Sequence, residues 1–411
     1  MRLLYVVMRY GAEVAGGAEQ HCREIAQRMV ERGHDVEVAT TCAQSYVDWE
    51  NFYDPGVVVI DGVVVRRFPV ALARGNELFN SFNRRVLLGR CARPLPMQRE
   101  WMRMQGPYSP ELTTWLGRHA RRFDCVVFIT YLYWTTWAGL RVVTGVAPVL
   151  LHPTAHEEPP LRLSLFDSVF RAPDAFAFLS PEERDLVARR FPGAPPGEVV
   201  GVGVEMPDVA DDSAFRRRFA LGDDPYFLYV GRVDPAKGAA ELLDYFVAFK
   251  RRSPSRVRLV FLGQAFMEIP ARDDIVVTGF VDTATRDSAL AGATALVQPS
   301  YFESFSMVLT EAFAHRRPGL VQGRCDVLRG HALRSNAALP YVGFAEFECA
   351  MQMLLEDTER ADAMGAAGRA YVEREYAWDT VLDRYERLLE RTIRNSTNSD
   401  HVLGAGANTI G

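Results

Sequence analysis

The sequence predicts an α/β protein made of two doubly wound domains with largely parallel sheets. Three observations lead there. The chain has 411 residues, more than one compact α/β core usually holds. Its first forty residues run strand, loop, helix, strand, and a second series of buried strands alternating with helices begins at Tyr226. Between the two series, residues 205–225 hold Glu205, Pro207, Asp208, Asp211 and Asp212, then Gly222 to Pro225. That composition suits an inter-domain linker. The expected division is 1–206 and 207–377, with 394–411 as a disordered tail.

The elements follow in order. Leu3–Val7 reads as a short buried strand, and Gly16-Gly17-Ala18-Glu19 as a glycine-bearing turn. An amphipathic helix follows through Ile25, Ala26, Met29 and Val30, closed by Gly33, and Val36–Thr40 is the next strand. Val57–Ile60 and Val63–Phe68 flank Asp61-Gly62, a preferred two-residue hairpin turn. Strand signals resume at Val126–Ile129, Pro148–Leu151 and Ala175–Leu179. Ser180-Pro181-Glu182-Glu183 is a capping box that opens a helix. A short helical stretch, Arg216–Phe219, interrupts the linker. The second series has strands at Tyr226–Val230, Val257–Leu262, Ile275–Thr278, Ala295–Gln298 and Leu320–Val321. Helices fall near 239–251, 283–291 and 304–315, and three more near 344–356, 359–374 and 378–393. The last carries an apolar stripe of Val381, Leu382, Tyr385, Leu388 and Leu389.

Composition narrows the function. A net charge of -5 argues against a nucleic-acid partner. Cys22, Cys42, Cys91, Cys125, Cys325 and Cys349 form no CxxC pair, which suits reduced cytosolic thiols better than disulfides or zinc. Leu3 to Met8 is too short for a signal peptide's apolar core, and no run approaches a spanning helix. The expectation is a cytoplasmic protein. Residues 84–104 mix Arg84, Arg85, Arg90, Arg93, Arg99 and Arg103 with Val86, Leu87, Leu88, Leu95, Trp101 and Met102. Two readings stand: a face for anionic lipid or a lipid-linked acceptor on the inner side of the membrane, or a surface element packing its apolar side on the domain.

Two segments carry chemistry. Gly231-Arg232-Val233-Asp234-Pro235-Ala236-Lys237-Gly238 follows a strong strand and precedes a helix. Loops at the carboxyl ends of parallel strands are where such sheets bind ligands, and two cations suit a diphosphate. Lysine occurs only at Lys237 and Lys250, among 47 basic residues, so a compact ammonium at Lys237 looks selected. The second segment runs from Pro299 to Ala312 and holds Glu303 and Glu311. Ser304 or Ser306 can cap the helix that follows, whose N-terminus presents N–H groups to a phosphate. Taken singly, Glu303 also reads as a surface acid favouring the helix dipole, and Glu311 as part of a solvated face.

Together, GGAE near the start, GRxxxxKG opening the second half and E-x7-E late in the chain resemble the family 4 retaining glycosyltransferases, over roughly residues 1–392. The resemblance implies the GT-B fold, two Rossmann-like domains facing across a cleft, with the last helix, 378–393, packing back on the first. It implies a nucleotide-sugar donor, UDP- or GDP-linked, held mainly by the second domain. The acceptor would be a glycan, lipid-linked or small-molecule natural product. Gly16 and Gly17 would let the backbone approach the diphosphate. Arg232 and Lys237 would bind it and stabilise the leaving nucleotide. Glu303 would contact sugar hydroxyls, the N–H groups of Phe305, Ser306 and Met307 would face the phosphate, and Glu311 would hold the ribose. Phe280 and Val281, in the Gly279–Val281 turn, would lie against the base. His156 matches the family's cleft histidine, with His152 as runner-up.

The sequence departs from the family's pattern in two places. Arg317 stands where glycine is usual before Pro318, and 324–341 lacks the usual glycine-rich loop. Three other classes compete. A nucleotide-sugar epimerase shares the fold, and a non-catalytic sugar-binding relative would keep it. A dinucleotide oxidoreductase would want GxGxxG, which Gly11–Gly17 does not supply. No metal or cofactor is expected. No DxD motif stands at a strand end, and Arg232 with Lys237 already brings positive charge. Turnover should therefore survive EDTA; activity lost on chelation and restored by Mg²⁺ or Mn²⁺ would contradict this.

Overall fold

The computed structural model describes residues 1–14, 16–88, 93–207 and 211–405, with 397–405 described by backbone alone. Arg90, Cys91, Asp208 and the end of the expected tail, 406–411, lie outside the described residues. The chain divides into two compact units, Met1–Val200 with Leu382–Gly411, and Gly201–Val381.

The first unit holds β1 (Arg2–Val6), β2 (Asp35–Thr41), β3 (Gly56–Ile60), β4 (Val63–Phe68), β5 (Cys125–Ile129), β6 (Val149–His152), β7 (Ala175–Phe178) and β8 (Gly197–Val199). They form one sheet in the order β3-β4-β2-β1-β5-β6-β7-β8. Only the β3–β4 pairing is antiparallel among those described. Leu3 to Val6 and Cys125 to Ile129 are fully buried, as expected of parallel strands covered on both faces. The chain leaves β1 toward β2 and later returns to add β5 on β1's other side. That reversal makes a topological switch point, flanked by the loops after β1 and β5.

The second unit repeats the plan. Its strands are β9 (Tyr226–Val230), β10 (Arg258–Leu262), β11 (Ile275–Gly279), β12 (Ala295–Gln298), β13 (Gly319–Gln322) and β14 (Ala338–Tyr341). They order as β11-β10-β9-β12-β13-β14, with every pairing parallel. Here the switch point lies between β9 and β12, and the two motif-bearing loops are the ones that leave those strands.

The hairpin turn forms as its residues predict, and the capping box forms by half. Asp61 and Gly62 take φ values of 48° and 79°, the left-handed pair of a type I′ hairpin turn. The Ser180 hydroxyl accepts the Glu183 N–H at 3.1 Å. The Glu183 carboxylate does not turn back to Ser180. It accepts the N–H groups of Leu179 and Ala155, both at 2.6 Å, and so anchors the loop after β6. The five described cysteines are free thiols.

Two expectations need correction, the linker helix and the disordered tail. The helix in the linker is Ser213–Arg218, starting earlier than the composition suggests. The segment after β13, to which the sequence assigns no element, holds a helix, Asp326–Ser335, that leads into β14. The last helix runs Trp378–Ala405, into the stretch expected to be disordered. Its buried Leu382, Tyr385, Leu388 and Leu389, with Arg32 bonded to Asp383 and Glu386 at 2.7 Å each, belong to the first unit. Most of the apolar side chains within 84–104 face inward, the arrangement of the second reading, a surface element packed on its domain. Val86, Trp101 and Met102 join the first unit's core, and the Trp101 indole donates to Asn83 at 2.8 Å. Only Leu88 and Leu95 of that set are exposed. Among the described residues no helix is long and apolar enough to cross a membrane.

A pair of buried histidines lies under the first unit's switch point. His21 Nε2 and His152 Nδ1 are 3.3 Å apart, and the Tyr385 ring packs 5.3 Å from that of His152. Burial pushes His21 down to about 4, and burial with the neighbouring ring pushes His152 lower than an ordinary histidine. In the second unit burial likewise lowers His315 to about 4 and His331 to about 3. Each depressed pKa contributes stability that is complete above the unfolded value, near 6.5, and is lost as pH falls toward the folded value, near 4 for His21. The melting temperature should therefore drop steeply between pH 6.5 and pH 4. His21→Phe should flatten that slope. An equal slope in the variant would remove this pair as a source of acid sensitivity.

Candidate active site

The loops after β9 and β12 bring the second unit's predicted residues together. Lys237 Nζ donates to Glu303 Oε1 at 2.9 Å. The Glu303 charge raises the Lys237 pKa further, so the ammonium stays protonated. An ammonium has three protons. Lys237 can keep Glu303 and still donate to a phosphate.

Asp234 holds the cationic loop in shape, a role the sequence does not announce. Its carboxylate accepts the Lys237 backbone N–H at 3.1 Å and also pairs with the Arg232 guanidinium. One acid thus sets both the turn Pro235–Lys237 and the direction of Arg232. The turn closes on Gly238, at φ 77°. A Cβ there would stand 2.2 Å from the Pro299 carbonyl oxygen, so only glycine lets the β9 loop lie against the β12 loop.

Beyond Pro299 the chain passes through Glu303 to the helix Met307–Ala314. Neither Ser304 nor Ser306 caps that helix with its side chain. Ser306 occupies the N-cap position at φ 74°, and its hydroxyl accepts from Gln298 Nε2 at 3.2 Å. The leading N–H groups of a helix have no i−4 carbonyl to bond, so an anion there would be favoured; here the Leu309 N–H already reaches the Ser306 carbonyl at 3.1 Å. Phe305 is buried, while Met307 is partly exposed. Glu311 lies one turn on, with its Oε1 3.4 Å from Arg286 Nη1. Phe280, just past the carboxyl end of β11, is 80% exposed, and Val281 beside it is partly exposed.

In the first unit, Gly16 and Gly17 follow β1 at the switch point, Gly17 opening the helix Gly17–Glu31. The structure gives Gly16 a specific reason. At φ 153° its Cβ would stand 2.2 Å from Glu19 Oε2. Glu19 is buried in an ion pair with Arg9, whose Nε donates at 2.8 Å and whose Nη1 reaches the Gln44 carbonyl at 2.7 Å. The glycine loop therefore wraps a fixed internal ion pair, and nothing in the GGAE string identifies Arg9 as the partner.

The loop after β6 separates the two histidines. His152 ends the strand, fully buried, which removes it as a candidate for contact with substrate. His156 is 28% exposed, with Nε2 3.7 Å from Glu158 Oε1. Glu158 accepts the Tyr131 hydroxyl at 2.7 Å, so a buried tyrosine from the β5 loop steadies the acid beside His156. Among the described residues no group of three or more His, Cys, Asp or Glu side chains is arranged to hold a metal ion.

Known proteins resemble this chain in sequence and fold. Residues 16–203 match the glycosyl transferase 4-like domain, and residues 211–371 match the glycosyl transferases group 1 model. A D-inositol 3-phosphate glycosyltransferase from Xylanimonas cellulosilytica is 27% identical, across 93% of this chain and 94% of its own. A GDP-mannose-dependent alpha-(1-6)-phosphatidylinositol monomannoside mannosyltransferase from Mycobacterium tuberculosis is 26% identical, across 60% and 70%. Among solved structures, a sucrose-phosphate synthase from Thermosynechococcus elongatus matches with a TM-score of 0.69 at 17% identity, covering 96% of this chain and 100% of that one. HepE from Anabaena, in complex with UDP and glucose, matches with a TM-score of 0.68 at 14% identity, covering 95% and 100%. These structural matches establish the GT-B fold. Two domain models spanning most of the chain, over two mostly parallel sheets with cationic and acidic loops at one switch point, make it a member of the group 1, family-4-like glycosyltransferases, enzymes that use nucleotide-sugar donors.

Proposed function

We propose that this glycosyltransferase moves a hexosyl residue from a UDP- or GDP-sugar to a hydroxyl of a glycan, lipid-linked or natural-product acceptor in the cytoplasm, retaining the anomeric configuration. The observation that carries the reading is the 2.9 Å pair of Lys237 and Glu303 at the second unit's switch point. It joins a donor of positive charge to an acceptor of sugar hydroxyl protons at the place where such sheets bind ligands.

The roles follow from the chemistry of each group. Arg232 and Lys237 neutralise the donor diphosphate and, as the glycosidic bond breaks, the charge that develops on the departing phosphate. Asp234 keeps the two cations aimed. Glu303 accepts hydrogen bonds from the transferred sugar. The N–H groups of Phe305, Ser306 and Met307 meet the phosphate at the helix terminus. Glu311 accepts from the ribose hydroxyls, and the exposed ring of Phe280 with Val281 lies against the base. Gly16 and Gly17 allow close backbone approach to the diphosphate, and His156 bonds a hydroxyl of the donor sugar or acceptor. The acceptor hydroxyl approaches the face the nucleotide leaves, and the departing phosphate takes its proton. No step calls for a side chain as nucleophile.

Lys237→Ala should lower turnover by on the order of 100-fold or more, with Lys237→Arg recovering only part, since a planar fork does not replace a point charge. Steady-state kinetics check this, and wild-type turnover in the alanine variant would sink the assignment. Glu303→Ala should cut turnover strongly while the nucleoside diphosphate still binds in calorimetry. The anomeric coupling in the product's NMR spectrum should show an α-linked product from an α-linked donor. A β-linked product would overturn the mechanism, and lost nucleotide binding in the variant would move Glu303 from the sugar to the nucleotide.

A further inference from the structure

In the proposed donor site the N–H groups of Phe305 to Met307 meet the diphosphate, and the role inferred for His331 rests on that assignment. Those groups are useful only if their directions are fixed. No serine side chain caps the helix, and Ser306 sits in the left-handed region at φ 74°. That conformation is costly outside glycine and persists where surroundings over-determine it.

The restraint comes from the helix Asp326–Ser335. His331 is fully buried on it. Its Nε2 lies 2.9 Å from the Phe305 carbonyl oxygen and its Nδ1 3.1 Å from the Tyr371 hydroxyl. A carbonyl can only accept, so Nε2 carries the proton and donates to Phe305, and Nδ1 accepts the Tyr371 O–H. The Tyr371 oxygen in turn accepts from Arg334 Nε at 3.3 Å and lies 3.1 Å from the Tyr376 hydroxyl. The Phe305 ring packs edge-on against His331 and Tyr376, with centroids 5.2 and 5.0 Å away. Burial and the charge of Arg334 keep His331 neutral, so the tautomer does not change under ordinary conditions.

The bond between Phe305 and Ser306 is trans, like all described bonds except Gly106–Pro107. In a planar trans peptide the C=O and the following N–H point in opposite directions. Holding the Phe305 carbonyl toward His331 therefore turns the Ser306 N–H the other way. We propose that His331 is a positioning residue for the donor: through the Phe305 carbonyl it aims the Ser306 N–H at the donor diphosphate, without touching the donor. This gives a task to the segment 324–341, where the chain departs from its family's glycine-rich pattern.

The test is calorimetry on the full chain with UDP and GDP, using whichever the wild type binds, and with the matching nucleoside. His331→Phe fills the space and removes the donor. It should weaken nucleoside diphosphate binding about tenfold or more and leave nucleoside binding unchanged. His331→Gln retains an N–H near the Nε2 position and should recover most of the loss, whereas His331→Asn, one carbon shorter, should not. The Gln–Asn pair carries the test if the phenylalanine variant fails to fold. Equal losses for nucleoside and diphosphate would reduce His331 to a purely structural role and overturn the proposal. So would unchanged diphosphate binding in His331→Phe and His331→Asn while Lys237→Ala loses it. If Lys237→Ala also binds normally, the donor reading itself fails.

Discussion

Lys237 and Glu303 come from loops 66 residues apart in sequence, and much of the second unit's construction serves to bring them within hydrogen-bond distance. Parallel β9 and β12 must be neighbours for their loops to meet, which requires the chain to reverse direction across the sheet after β11. The β9 loop must then lie flat on the β12 loop, which is why Gly238 faces the Pro299 carbonyl with no room for a Cβ. Asp234 supplies the remaining constraint by bonding the Lys237 backbone N–H and the Arg232 guanidinium. The pair is partly open to solvent, so its attraction adds little stability of its own. Its importance is positional: two opposite charges, each satisfied before ligand arrives, would on the proposed reading offer a phosphate and a sugar different partners at one place.

Much of this was legible from the residues. The Asp-Gly turn, the Ser180 cap and the buried strands announce themselves because each rests on local chemistry. The loops with Arg232, Lys237 and Glu303 could be read because strand-to-helix loops in parallel sheets expose their ends. What was not legible depends on contacts between distant segments. Asp234 looks like an ordinary turn acid until Arg232 and the Lys237 N–H are seen on it. Arg9 has no visible relation to Glu19 until the glycine loop folds around both. The strands expected in the second unit end at Leu320–Val321, yet Ala338–Tyr341 adds β14, an edge strand, where the missing Pro340 N–H costs no ladder bond. His152 and His156 differ by four positions, and only the end of β6 decides that one is interior.

The two units solve the same problem with different materials. In the first, the glycine loop wraps a buried Arg9–Glu19 pair, and Glu183 and Tyr131 steady the loop of His156 through the Ala155 N–H and Glu158. In the second, the turn proposed to face the phosphate is held by a neutral imidazole backed by two tyrosines. Both arrangements fix backbone direction from the interior side and leave the outward side for ligand. On the proposed reading, function lies in loops whose geometry is set by interior side chains away from the substrate.

Every role assigned to these loops depends on the donor diphosphate binding at the Lys237–Glu303 switch point of the second unit. A crystal structure with bound UDP or GDP would decide it. A phosphate oxygen should lie about 3 Å from Lys237 Nζ, with Arg232 and the Ser306 N–H turned toward the same diphosphate. A nucleotide bound with its phosphates elsewhere, and Lys237 engaged by Glu303 alone, would contradict it.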